Sequence, residues 1–119
     1  MTKERQHTGR TGEQIACDFL KEQGYSIVER NHRSRLGEID IVAEHREYLV
    51  FCEVKTRRSR AGLHPSLSVT AKKIEKLRMQ GEHYLSQKHL MHLQPRFDVI
   101  AVQLAGKTPP DIDHFVNAF

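Results

Sequence analysis

The sequence predicts a single α/β domain with a central mixed β-sheet flanked by helices. Three observations support this fold class: a helical repeat of apolar residues opens the chain, an apolar hairpin follows, and a second helical segment precedes another apolar strand. The strands are apolar on both faces, which requires helices on both sides of the sheet. The expected order is α-β-β-β-α-β, with at most one more strand in the tail.

A chain of 119 residues can form one hydrophobic core, so we expect a single domain over residues 1–119. Its core should lie at about residues 8–104, followed by a tail at 105–119. No long apolar run exists, and the charged start lacks the apolar segment of a signal peptide. These features argue against a membrane protein and predict a cytoplasmic location.

The first helix is expected from Thr11 to Gln23. Four apolar residues share one helical face there, and Gly24 follows as a helix terminator: Ile15, Ala16, Phe19 and Leu20. Residues 25–30 then alternate as a strand, and the basic stretch 31–37 is expected to be a loop.

The hairpin is expected to pair residues 38–43 with residues 48–55 across a four-residue connection, "EHRE". If this connection closes symmetrically, Glu38 lies opposite Glu53, and Asp40 lies opposite Phe51. Because side chains alternate along a strand, Glu53 and Lys55 share one face.

A second helix should begin after Thr70, a suitable N-cap, and run to Gln87 past Gly81. Its apolar face is formed by four residues: Ile74, Leu77, Tyr84 and Leu85. A polar loop with Gly62 and Pro65 precedes it. Residues 96–104 read as a buried strand, and residues 114–119 form a short last segment.

Acidic residues in both arms of the hairpin are unusual, because carboxylates are poor strand formers and costly to bury. Like charges on neighbouring strands also destabilise a sheet unless a cation lies between them. Mg²⁺ is a suitable cation, since it binds carboxylate and phosphate oxygens. Lys55 could then orient the attacking water and balance charge on a phosphate. The alternative is a set of ordinary solvated charges on an edge strand.

Three segments carry a family resemblance: "GRTGEQIACDFLKEQGYSIVERN", "GEID…FCEVKTR" and "RFDVIAV". Together they resemble the YraN-like family of small uncharacterised bacterial proteins. That family is similar in pattern to archaeal Holliday-junction resolvases and to the restriction-endonuclease-like, PD-(D/E)xK, fold. The resemblance covers about residues 8–102 and implies a metal-dependent nuclease of this fold.

The resemblance also implies the site residues. Asp40 and Glu53 would be catalytic metal ligands, Lys55 the catalytic lysine, and Glu13 and the Val54 carbonyl further ligands. Because "GEID" differs from the literal "PD" motif, Glu38 is a rival or additional ligand. Glu13 has an alternative explanation, because a Glu in the first turn of a helix is stabilised by the helix dipole.

The net charge of +4 and a pI near 9.3 favour polyanionic partners, and basic residues cluster on both sides of the hairpin. The residues expected to contact nucleic acid are Arg33, Arg35, Arg57, Arg58, Arg60, Lys72 and Lys73. A solvated charged face is the alternative, especially for the two lysines. The histidines show no convincing metal-ligand spacing, so surface or structural roles are expected. Cys17 and Cys52 lie in apolar patterns and are expected to be buried and reduced.

Two functions from different classes therefore remain open. One is a Mg²⁺-dependent endonuclease, with Mn²⁺ as a substitute, that cleaves structured or branched DNA or, less favoured, RNA. The other is a nucleic-acid-binding module that keeps the nuclease fold without catalysis. A homodimer is an added expectation from the resemblance to junction resolvases. An acidic centre that repels phosphate favours the nuclease, because a pure binding protein has no need of it.

Overall fold

The computed structural model describes residues 3–57, 70–104 and 109–119, with the backbone alone for residues 3–10. The order is α-β-β-β-α-β-β, which confirms the predicted α/β fold class. The elements are α1 (Lys3–Glu22), β1 (Ser26–Ser34), β2 (Gly37–His45), β3 (Tyr48–Arg57), α2 (Ala71–Gln87), β4 (Gln94–Gln103) and β5 (Asp111–Phe115).

The five strands form one mixed sheet in the order β1-β2-β3-β4-β5. Neighbouring strands are antiparallel except for β3 and β4, which are parallel. A parallel pair needs a crossover connection, and α2 lies in that connection. The sheet therefore carries its hairpin at the centre, with β3 paired on both sides.

The helices cover opposite faces of the sheet, as the apolar strands predicted. Alternate residues of β3 divide between two clusters: Val50 and Cys52 face α1, whereas Leu49 and Phe51 face α2. The α1 cluster includes Ala16, Cys17, Leu20, Ile41, Ile100 and Val102. The α2 cluster includes Ile39, Val42, Tyr84, Leu85, Leu93 and Phe97. Both cysteines are buried and free, as expected.

Two boundaries differ from the sequence prediction. Helix α1 begins at Lys3 instead of Thr11. Its first turns contain good helix formers, but they were not predicted because they lack apolar periodicity. Strand β1 continues to Ser34 through the stretch that was expected to be a loop. It does so by pairing with β2, and Arg33 lies opposite Glu38. Polar residues are tolerated there because β1 is an edge strand.

Strand β1 is also irregular. A bulge at Val28 shifts its register with β2, and Asn31 has a positive φ of 53°. Because Asn31 lies between them, its left-handed backbone lets Glu29 and His32, three residues apart, both contact Tyr84 on α2.

The register of the hairpin corrects the prediction. His45 pairs with Tyr48 and Ile41 pairs with Cys52, so the turn has two residues instead of four. Arg46, in the turn, has the positive φ of 58° that tight hairpins require. The predicted pairings of Glu38 with Glu53 and of Asp40 with Phe51 are therefore wrong, because Phe51 pairs with Val42. The register differs by an even number, so residues 41–45 and 48–52 keep their predicted alternation, whereas Ile39 joins Val42 in the α2 cluster.

Helix α2 has the predicted start and end. Thr70 caps it, accepting a hydrogen bond from the Lys73 N–H through its side chain. A Cβ at Gly81 would lie 2.7 Å from the Phe97 ring and 3.2 Å from the Phe51 ring. Gly81 therefore allows α2 to approach the sheet closely. Most of the predicted loop before α2, residues 58–69, lies outside the described residues.

No helix among the described residues is long and apolar enough to cross a membrane.

Candidate metal centre

The candidate site lies where β2 and β3 stop pairing through their backbones. Their ladder ends at Ile41 and Cys52. Beyond it, Asp40 Oδ2 accepts a hydrogen bond of 2.8 Å from the Val54 N–H. The Asp40 carboxylate accepts this hydrogen bond in place of a backbone carbonyl of β2. The two strands therefore separate at the residues predicted to form the site.

Asp40 is partly buried, and its carboxyl group has an unusual pKa. Burial raises this pKa from 3.8 to about 6, although the Val54 N–H lowers it. The neighbouring carboxylates of Glu13, Glu53 and Glu38 raise it further. The four acidic residues that the sequence indicated therefore influence one another electrostatically.

Glu53 is held by two lysines. Its Oε1 atom lies 2.9 Å from Lys55 Nζ and 3.4 Å from Lys73 Nζ. Burial alone would raise the pKa of Glu53, but the hydrogen bond and charge of Lys55, with those of Lys73, lower it overall. Its other oxygen, Oε2, is buried and has no hydrogen-bond partner among the described residues.

Glu13 and Glu38 lie at the border of this centre. Burial raises the pKa of Glu13, while a hydrogen bond with the Asn31 side chain lowers it. Glu13 is in the middle of α1, because the helix begins at Lys3. The explanation of Glu13 by the helix dipole is therefore wrong, since that effect is confined to the first turn. Glu38 is exposed, and its Oε2 lies 3.9 Å from Arg33 Nε.

A pocket of about 480 Å³ lies beside the carboxylates, between the sheet and α2. Its charged and amide-bearing lining residues are Glu38, Asp40, Glu53, Lys73, Lys76, Gln80 and Asp98. Its apolar lining includes Ile39, Phe51, Leu77, Phe97 and Phe119. Asp40 and Glu53 thus border one cavity that has a charged side and an apolar side.

The donor set fits a hard divalent cation. It consists of carboxylate oxygens, one of them the partnerless Glu53 Oε2, and oxygen donors are those that Mg²⁺ and Mn²⁺ prefer. The Val54 N–H is occupied by Asp40. Within residues 3–57, 70–104 and 109–119, no three His, Cys, Asp or Glu side chains form a ready metal-binding group. In this structure Lys55 and Lys73, next to Glu53 Oε1, supply positive charge to the acidic centre.

The predicted nucleic-acid-binding residues occupy different positions. Arg33, Arg35, Arg57 and Lys72 are exposed, and Arg33 lies next to Glu38. Lys73 points to Glu53 instead of being only a surface charge. Arg58 and Arg60 lie outside the described residues.

Sequence reasoning missed a buried polar network on the α1 face. Asp98 is completely buried and accepts hydrogen bonds from Arg96, from His114 at 2.7 Å and from the Asn117 N–H. Burial alone would raise the pKa of Asp98, but these bonds lower it. Arg96 also donates to the Tyr25 hydroxyl at 2.7 Å. The available signal was an Asp inside an apolar strand, because such a residue requires partners.

Comparisons with known proteins place the chain in a family. The model of the uncharacterised protein family UPF0102 matches residues 12–102. A UPF0102 protein of Syntrophotalea carbinolica is 44% identical over the whole chain and 96% of that relative. A UPF0102 protein of Trichlorobacter lovleyi is 48% identical over 98% of this chain and 93% of that relative. This chain therefore belongs to the uncharacterised protein family UPF0102.

Proposed function

We propose that this protein is a divalent-metal-dependent endonuclease that hydrolyses phosphodiester bonds in structured or branched DNA. One observation carries the proposal: Asp40 and Glu53 border one pocket, and Lys55 forms an ion pair with Glu53. The resemblance of "GEID…CEVK" to the PD-(D/E)xK pattern supports the same function.

The carboxylates of Asp40 and Glu53 would hold Mg²⁺ or Mn²⁺. Glu13, Glu38 and the Val54 carbonyl are the candidates for further ligands. When bound, the metal supplies Lewis-acid polarisation of the phosphate and a more acidic water. The pKa of about 6 at Asp40 supports this assignment, because burial and the neighbouring carboxylates both disfavour its ionised form and a bound cation would compensate for both.

Lys55 has the chemical role of a cation next to the reacting phosphate. Its ammonium group is oriented by Glu53 and is about one-third exposed, so it can still donate to a substrate oxygen. There it would orient the attacking water and stabilise negative charge that develops in the transition state. Arg33, Arg35 and Arg57 would bind the flanking phosphates, which adds affinity without sequence choice.

The test is a cleavage assay on duplex, single-stranded, flap and four-way-junction DNA. Each substrate is incubated with Mg²⁺, Mn²⁺ or chelator. We expect metal-dependent cleavage of at least one branched substrate, and its loss in Lys55→Ala. The matched control is Lys21→Ala, an exposed lysine in the last turn of α1.

Binding without cleavage of any substrate, in either metal, would contradict the proposal. It would instead support the nucleic-acid-binding module. Parallel assays on RNA of the same shapes would show whether DNA is the correct substrate class.

A further inference from the structure

The pocket beside the carboxylates contains a polar group that the proposed hydrolysis does not use. Gln80 on α2 is only 6% exposed, and its Nε2 donates to the carbonyl of Leu36. Its Oε1 is buried and has no hydrogen-bond partner among the described residues. A buried acceptor without a donor is destabilising, so this oxygen is a candidate contact for a ligand.

The orientation of this amide follows from its surroundings. The Leu36 carbonyl can only accept, so the nitrogen of Gln80 must face it and the oxygen must face away. Gly37 has a φ of 134°, and a Cβ there would collide with the amide nitrogen. Gly37 thus leaves the space in which Gln80 is fixed, with its oxygen turned away from the Leu36 carbonyl and left without a donor among the described residues.

The rest of the pocket suits a flat, partly apolar group. Ile39, Leu77 and the stacked rings of Phe51 and Phe97 line one side. The carboxylates of the candidate metal centre line the other side. A group in this pocket would lie close to Asp40 and Glu53, because these carboxylates border the same cavity.

We propose that this pocket binds an unpaired nucleobase that carries an exocyclic amino group, extruded from the DNA next to the phosphate at the metal centre. The inference rests on the proposed nuclease function and names its substrate class: DNA with an unpaired adenine, cytosine or guanine at the cleavage position. Gln80 Oε1 accepts a hydrogen bond from the amino group. Thymine fits less well, because two carbonyl oxygens flank its only ring N–H and would face the acceptors of the pocket.

The experiment measures equilibrium binding, in chelator and in Ca²⁺, to four DNA duplexes. One is fully paired, and the others carry a single bulged adenine, a bulged purine without the amino group, or a bulged abasic nucleotide. We expect the adenine bulge to bind about fivefold more tightly than the purine bulge, the equivalent of one neutral hydrogen bond. The abasic bulge should bind more weakly than either.

Gln80→Leu should remove the difference between adenine and purine and leave binding of the paired duplex unchanged. Gln87→Leu, at an exposed position near the end of α2, is the matched control. If Gln80→Leu does not fold, the comparison of the four duplexes with the unaltered protein still decides.

Equal binding of the adenine and abasic bulges would overturn the base pocket, even if the protein proved to be a nuclease. Equal binding of the adenine and purine bulges would overturn the role of Gln80. Base discrimination without cleavage of any substrate would overturn the proposed hydrolysis and leave the pocket intact. The two proposals therefore fail in different experiments.

Discussion

The carboxylate of Asp40 accepts the Val54 N–H at the point where β2 separates from β3. This bond gives Asp40 two roles, because it completes the hydrogen bonding of a strand and contributes charge to the acidic centre. The first role needs only an acceptor oxygen, whereas the second needs an ionised carboxylate. A substitution that keeps the oxygen and removes the charge can separate them.

Asp40→Asn should stabilise the metal-free protein at alkaline pH. The pKa of Asp40 is about 6 in the folded protein and 3.8 ordinarily, so the folded state binds more protons between these values. Stability of the unaltered protein therefore falls as pH rises through this window and stays lower above it. We expect Asn to recover about 1–3 kcal/mol at pH 8.

Urea unfolding in chelator, at pH 8 and at about pH 4, checks this. Near pH 4 Asp40 is protonated in the folded state and only partly ionised in the unfolded state, so the difference between the variants should shrink. A gain that is equal at both pH values would show that the charge of Asp40 is not the cause.

Lys55→Ala should separate chemistry from metal binding. Removing a group that stabilises transition-state charge costs roughly a hundred- to a thousandfold in rate. Metal affinity should stay unchanged or rise slightly, whereas Asp40→Ala should reduce both metal affinity and cleavage. Single-turnover rates and metal titrations of both variants provide the comparison. Cleavage by Lys55→Ala at the unaltered rate would refute the mechanism.

Lys73→Ala should increase the affinity for Mg²⁺. Lys73 Nζ lies 3.4 Å from Glu53 Oε1, so its charge competes with a divalent cation for that carboxylate. Because Lys73 is partly exposed, we expect a modest gain of about two- to fivefold. Lys72→Ala is the control, since Lys72 is the neighbouring exposed lysine on α2. Equal affinities in calorimetric titrations of the two variants would argue against this competition.

The exposed arginines should contribute to DNA binding through phosphates. Replacing Arg33, Arg35 or Arg57 with Ala should lower the slope of log affinity against log salt concentration by about 0.9 per lost contact. The loss should be similar for different DNA sequences. Lys21→Ala, about 12 Å further along α1 than Glu13, should leave the slope unchanged. An unchanged slope in the arginine variants would leave them as solvated surface charges.

Asp98→Ala should strongly destabilise the fold. It leaves Arg96 buried without its carboxylate partner, and breaking a buried ion pair in this way costs about 3–5 kcal/mol. The lowered pKa of Asp98 means that its contribution is present at neutral pH and is lost as pH falls through that pKa. Asp113→Ala, at an exposed position of β5, should change stability by less than about 0.5 kcal/mol. Urea unfolding at pH 7 distinguishes the two.

The order of the elements and the faces of the hairpin could be predicted because both depend on local periodicity. The strand period of two correctly predicted that Glu53 shares a face with Leu49 and Phe51, although the predicted register was wrong. The register itself depended on a two-residue turn at Arg46, which takes an unusual φ. The contacts between α2, which lies in the crossover connection, and the sheet could not be predicted in the same way. Lys73 reaches Glu53 across 20 residues, and no periodicity encodes that distance.

The buried partners of Asp98 were hidden for a related reason. His114 is on β5, which pairs with β4 in an antiparallel register that the short last segment did not indicate. An isolated Asp in an apolar strand shows that partners are needed, but not which ones. The candidate residues of the hairpin could be found because two short motifs, "GEID" and "CEVK", lie on its two arms.

The irregular backbone of β1 also affects whether the edge of the sheet can pair with a strand of another molecule. β1 is an outer strand of the sheet, and such a strand can recruit a strand of another molecule through its unpaired backbone groups. The bulge at Val28 and the left-handed Asn31 interrupt that row of groups twice within nine residues. A foreign strand could not stay in register past either point. The irregular backbone of β1 is therefore a feature that disfavours edge-to-edge pairing.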